Sequence, residues 1–345
     1  MKCAARESYL RTRGYVADDV GNIPSIIWTP QTSPADQAWR SILWNGSNYA
    51  CVSATGAVTQ KATTSANAAA WQLRTTPSAP NFLRLILCPG IGAGGADRLV
   101  ACASAGTGTG NRIMVSDDKG ATWVGKTTPA SINTWVAMAF SPTLGTGKGR
   151  IVCANTQNAG TQGTMHSDDA GETWTLDTSP VNIWNVMEWV APWGKFVCAG
   201  GGGTTAATRL MTSVDGINFV QGVMGPTAVW NSMAFAPELG RLVIGGQGGD
   251  INAYSDDGVT FKPATLSAGS QNSGICWSPK WRMFTAMLTT SGLVGYSQDG
   301  EVWARGAGAN TNNWQGVCYS ADRDEWCACA ITGTGNRFMT GKVAA

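Results

Sequence analysis

The stretch Ser116-Asp117-Asp118-Lys119-Gly120-Ala121-Thr122-Trp123 returns as Ser167-Asp168-Asp169-Ala170-Gly171-Glu172-Thr173-Trp174. Shorter copies follow at Ser213-Val214-Asp215-Gly216 with Phe219, Ser255-Asp256-Asp257-Gly258 with Phe261, and Ser297-Gln298-Asp299-Gly300 with Trp303. Recurrence at roughly 40–50 residues specifies an array of supersecondary units, none of which can bury its apolar face alone. Each copy lies between two apolar runs, so it reads as the turn of a β-hairpin. Asp and Ser side chains accept hydrogen bonds from nearby backbone N–H groups, and Gly takes a positive φ without steric cost. The aromatic then packs the turn from inside.

Two more strands complete each unit. One starts and ends on an aromatic in most copies: Trp39 to Trp44, Leu83 to Cys88, Trp135 to Phe140, Trp184 to Trp189, Trp230 to Phe235, Asn272 to Trp277 and Trp314 to Tyr319. The next turns from a polar residue to an apolar run, as in Arg98 to Cys102 or Arg150 to Cys153. With the strands lettered a to d in chain order, the repeated turn joins c to d. Residues 25–34 match a d strand, six full units follow, and the last unit supplies a, b and c before the chain stops. The N-terminal strand therefore completes the last sheet. That interlocking predicts an all-β, seven-bladed β-propeller of four antiparallel strands per blade, spanning residues 25–345 as one domain behind an arm over 1–24.

Composition agrees with a buried, β-rich chain: 43% of the 345 residues are hydrophobic and only 13% charged, against about 25% charged in an average soluble domain. The net charge of +2 comes without a long basic block, which excludes a phosphate-tracking, nucleic-acid-binding surface. No apolar run reaches the 18 or so residues of a membrane-spanning helix, and the first residues lack the apolar core of a secretory signal. Cys51, Cys102, Cys153 and Cys198 each sit within an apolar run; the ten cysteines read as reduced core residues rather than a disulfide framework.

The Ser-x-Asp-x-Gly-x-Thr-Trp pattern resembles the Asp-box, or bacterial neuraminidase repeat. The residues that carry the likeness are Ser116, Asp118, Gly120 and Trp123, then Ser167, Asp169, Gly171 and Trp174, with Asp215, Asp257 and Asp299 in the shorter copies. A first copy, from Ser65 to Trp71, has lost its Asp and Gly. The resemblance implies the sialidase-like propeller fold shared by sialidases, photosystem assembly factors and phage or lectin-like proteins. In that family the boxes lie on the face opposite the catalytic one, so they give these aspartates a structural role.

Catalytic residues are not evident. A sialidase resemblance implies an arginine triad, a Tyr–Glu pair and an Asp acid. The nearest arginine string, Phe82-Leu83-Arg84, reads as an inner strand, and Tyr254 and Tyr296 precede the turns. The only histidine, His166, also precedes a turn, which leaves neither a His-rich metal site nor a well-placed base. The Asp-Asp pairs lack the closing Glu of a Ca²⁺ loop. Glu188 is the one carboxylate in an inner strand, where the other sheets have Leu43, Leu87, Ala139, Ala234, Cys276 and Cys318.

A binding face is expected at the entry of the a strands, where Trp39, Trp135, Trp184, Trp230 and Trp314 recur, with Leu83 and Asn272 completing the ring. The b–c loops beside them (105–110, 157–163, 200–204, 245–249 and 332–335) are small and polar. Arg112, Arg209 and Arg337 recur at the start of strand c, which suits either a structural role or a shared positive rim. The alternative role for the tryptophans is to fill the gaps between sheets. Lys2, Arg6, Arg11 and Arg13 make the arm basic, so residues 1–15 are either a frayed start or a tether to a neighbouring protein. Together these features lead to the expectation of a non-enzymatic structural or recognition propeller without metal or cofactor. Absence of an export signal, free thiols and an extracellular-type repeat suggest a phage virion or tail part contacting other virion proteins or a host-surface glycan. The alternatives are a sialidase-like enzyme or lectin, and a cytoplasmic assembly scaffold.

Overall fold

The computed structural model describes residues 23–56, 60–77, 81–104, 112–129, 134–156, 163–201, 209–226, 228–248, 251–265, 271–289 and 292–344. The arm over residues 1–22, and most of the b–c loop residues 105–110, 157–162 and 202–204, lie outside them. Among the described residues there are 28 strands, numbered β1 to β28 in chain order, in seven antiparallel sheets of four. The innermost strands are β2 (Trp39–Trp44), β6 (Asn81–Cys88), β10 (Trp135–Ser141), β14 (Trp184–Val190), β18 (Val229–Ala236), β22 (Asn272–Ser278) and β26 (Trp314–Ser320). They define blades 1 to 7. Blade 7 takes its outer strand from the other end of the chain: β1 (Ile26–Gln31) pairs with β28 (Phe338–Val343), Ile26 opposite Val343 and Gln31 opposite Phe338. Trp28 donates its indole N–H to Tyr296 Oη at 2.6 Å, which ties this strand to blade 6.

The core is divided into seven apolar clusters, one for each pair of neighbouring blades. Every b strand is covered on both faces by adjoining sheets, so it reads as a run of small apolar residues rather than an alternation. Residues 99–103, Leu-Val-Ala-Cys-Ala, are all fully buried. The cysteines belong to these interfaces: nine free thiols are described, eight of them buried.

The repeated turn is built as its residue types require. Ser116 Oγ accepts from Gly120 N at 2.9 Å and donates to Asp118 at 2.8 Å. Asp118 takes the N–H and hydroxyl of Thr122 at 2.8 and 2.6 Å, and the Trp123 indole closes onto Gly120 O at 3.0 Å. Ser167, Asp169, Gly171, Thr173 and Trp174 repeat these five bonds. The degenerate first copy keeps the geometry with other residues. Asn67 accepts from Ala69 N and Ala70 N, Ala68 takes the positive φ of 59°, and the Trp71 indole bonds Ala68 O.

A second device joins the blades at this face. Arg150, at the start of a b strand, holds Asp168 of its own turn through two bonds of 2.7 and 2.6 Å. Its third nitrogen reaches Asp215 O in the next blade at 2.6 Å. Arg98 binds Asp117 and reaches Ala170 O and Glu172; Arg241 binds Asp256 and reaches Asp299 O and Glu301. Lys195 to Asp257 O and Asn45 to Lys119 O make weaker versions. In each case the acceptor carbonyl precedes the turn glycine of the following blade.

Candidate functional site

Each innermost strand carries a β-bulge one or two residues in from its entry end. The register breaks between Trp39 and Ser41, Phe82 and Arg84, Trp135 and Ala137, Trp184 and Val186, Trp230 and Ser232, Asn272 and Gly274, and Trp314 and Gly316. A bulge inserts one unpaired residue and re-aims its side chain. The inserted residues are Arg40, Leu83, Val136, Asn185, Asn231, Ser273 and Gln315. All seven line one well on the ring axis, about 360 Å³ in volume, at the face bearing the d–a and b–c loops. Arg84, Gln247, Gln271, Thr289, Asn313 and Ile331 contribute further to its wall.

This arrangement corrects the expected lining of that face, not its place. Trp39, Trp135, Trp184, Trp230 and Trp314 are each 0% exposed and pack between blades. Their blade 2 counterpart is Phe82, not Leu83, because two apolar residues stand side by side at that entry and the bulge inserts the second. By the same shift the residue level with Glu188 in blade 2 is Ile86. Asn272 takes the same place in blade 6, where it accepts from Ser232 and donates to Asn252. Arg112 is buried, Arg209 bonds Ala228 O, and Arg337 bonds Gly333 O and Ile331 O while facing Asp36 at 3.6 Å. The last two brace loop backbone instead of forming a rim. Ser116, Ser167 and their partners lie at the far face, away from the well. His166 pairs through Nδ1 with Asp177 at 2.8 Å in blade 3 and does not line the well.

The wall is a belt of carboxamides. Asn185 donates to Trp230 O and Asn231 Oδ1 at 3.0 and 3.3 Å; Asn231 donates to Gln247 at 3.4 Å, and Gln247 donates to Gln271. Arg40 donates to Gln315 at 3.2 Å, while its Nε is buried without a hydrogen-bond partner among the described residues. Arg84 reaches across the axis from blade 2 to the carbonyls of Asn185 and Asn231, at 3.1 and 3.5 Å. Burial holds both guanidiniums below their ordinary pKa. Deeper along the axis, desolvation pushes the Glu188 carboxyl up to about 7, with the Arg84 charge opposing the shift. Among the described residues no group of three or more His, Cys, Asp or Glu is placed to hold a metal ion. Among those residues, too, no helix is long and apolar enough to cross a membrane.

Arg40, Asn231, Gln247, Gln271 and Gln315 were not singled out from the sequence. A signal for them exists. The residue after each entry aromatic is charged or polar in blades 1, 4, 5 and 7, inside strands that are otherwise apolar.

The architecture defines a seven-bladed β-propeller with an axial polar well. No family model matches this sequence, and no curated protein sequence matches it significantly. Among solved structures, a streptogramin B lyase is similar with a TM-score of 0.71 at 9% identity, covering 92% of this chain and 98% of that one. A catalytically inactive histidine-to-alanine virginiamycin B lyase from Staphylococcus aureus with quinupristin gives 0.72 at 9%, covering 93% and 100%. YCF48 bound to a D1 peptide gives 0.62 at 14%, covering 94% and 99%. At these identities the likeness is one of fold alone. It corrects the expectation that such a chain is not an enzyme, because a lyase is built on the same ring.

Proposed function

We propose that this chain is a recognition propeller that holds a polar group of its ligand in the axial well. The observation that carries this reading is the column of bulge residues: seven blades each turn one inserted side chain onto the axis, and five of the seven are polar. The volume of about 360 Å³ falls in the lower part of the usual range for small-molecule sites, roughly 300–1,000 Å³. The wall offers donors and acceptors in quantity, with Leu83, Val136 and Ile331 as its apolar members. Such a wall suits a hydroxyl-rich ligand. Of the two contacts a virion setting allows, another virion protein or a host-surface glycan, this wall fits the glycan; an assembly-factor setting would make the ligand a polypeptide.

A glycan array probed with the wild type and with the Asn185→Ala, Asn231→Ala double variant tests the reading. Each lost hydrogen bond is worth about 0.5–1.5 kcal/mol, so retained glycans should bind the double variant about tenfold more weakly. Undiminished binding by that variant would move recognition away from the well, and an empty array would remove the glycan.

A further inference from the structure

We infer that the axial well is an oxyanion site, in which Arg40 and Arg84 together hold the carboxylate of an acidic ligand. This rests on the well being the recognition site and names the chemical class it takes.

Neither arginine is paired in the way that four others are. Arg98, Arg150, Arg241 and Arg323 each meet a carboxylate at 2.6–2.8 Å, and three of them do so with two nitrogens. Neither Arg40 nor Arg84 has a carboxylate within ion-pair distance among the described residues. Arg84 spends its donors on two main-chain carbonyls across the axis, and Arg40 on one carboxamide, with Nε left over. Among the described residues the wall contains these two cations and no acid. Desolvating a cation costs several kcal/mol unless a counter-charge returns it. A ligand oxyanion would return it, accepting the charge-assisted bonds that guanidinium groups make best with carboxylates. Hydroxyls beside that oxyanion would meet Asn231, Gln247 and Gln271.

Glu188 sets a condition on such binding. It lies on β14 three residues beyond Asn185, and Arg84 is the charged group that acts on it. At its level the neighbouring inner strands bring Leu43, Ile86, Ala139 and Ala234, with Cys276 and Cys318, whose thiols are held protonated by burial; its cross-strand partner is Val197. Protonated, Glu188 leaves the positive well uncompensated. Ionised, it competes with the ligand for the field of Arg84. Acid binding should therefore weaken as the pH rises through 7.

Calorimetry at pH 6 and pH 8 with glucuronate, glucose, and a short peptide with a free or an amidated C-terminus separates the outcomes. Glucuronate should bind at least tenfold more tightly than glucose if the source is an acidic sugar; the free peptide should exceed its amide if it is a chain end. Arg40→Gln and Arg84→Gln should each weaken the preferred acid tenfold or more. Arg84→Lys should recover part of the loss, and native-like thermal unfolding would show that the variants are folded. Affinity should fall about threefold to tenfold from pH 6 to pH 8, and Glu188→Gln should flatten that fall. Equal binding of acid and neutral ligand, or folded arginine variants with unchanged affinity, overturns the oxyanion assignment; if Asn231→Ala still weakens that binding, the well itself stands. Binding of neither acid also overturns it, leaving the array to judge the well.

Discussion

Glu188 is the acid in a ring where six blades place Leu, Ile, Ala or Cys, and its environment makes it a pH-dependent weakness in the fold. The carboxyl stays protonated in the native protein up to about pH 7, whereas in the unfolded chain it ionises near 4.3. Between those values the native state binds more protons, so the stability tied to this group is whole below about pH 4 and is lost as the pH climbs through 7. Glu188→Gln abolishes that slope. Relative to the wild type it should gain about 1–3 kcal/mol between pH 5 and pH 8, allowing for water in the channel. Urea titrations at the two pH values measure it, and curves that stay parallel would show that the carboxyl is not desolvated. Glu188 stood out in the sequence because a charge inside an apolar strand is conspicuous. Arg40 did not, because the bulge that turns it inward is not visible in a period-two pattern. The entry tryptophans were visible for the opposite reason. Their recurrence signals a shared environment, and that environment is the gap between blades.

At the scale of the element, the c–d hairpins of blades 2, 3 and 5 serve two purposes. The Ser–Asp–Gly–Thr core closes the turn locally, which is why its spacing is legible in the sequence. The first aspartate of the pair does something the spacing does not show: it anchors an arginine whose other arm grips the following blade. Arg150 and Asp168 are 18 residues apart, but Arg150 and Asp215 are 65 apart, and no local pattern links them. Arg150→Ala removes the grip and leaves Asp168 partly buried without its partner. With Asp168 about a quarter exposed, the cost should be about 2 kcal/mol, below the range of roughly 3–5 for a fully buried pair. Asp168→Asn in the same chain should restore part of it. An Arg150→Ala protein that unfolds like the wild type would show the contact to be incidental.

At the scale of the whole molecule, stability depends on closing the ring. Counting strands was enough to foresee that β1 would complete blade 7, since the arithmetic of four per blade leaves one strand over at the N-terminal end and three at the C-terminal end. The seven separate cores make closure consequential, because an open ring would expose the cluster between blades 7 and 1, with Trp39, Phe338 and the thiols of Cys51, Cys318, Cys327 and Cys329. Tyr49 of blade 1 also donates to the buried Glu325 of blade 7 at 2.9 Å. A chain lacking residues 1–33 should therefore melt about 10 °C or more below the full chain, and one lacking only residues 1–22 should melt with it. Calorimetric scans of the three compare them directly; identical melting of all three would mean that β28 tolerates an unpaired edge.

The bulges carry a consequence for how such a protein can change. Each inserted residue stands outside the ladder and outside the inter-blade cores, so its identity is decoupled from the packing that holds the ring together. The axis thus presents seven interchangeable letters on a fixed frame, here Arg, Leu, Val, Asn, Asn, Ser and Gln. A new ligand could be spelled by rewriting them while every buried tryptophan stays where it is.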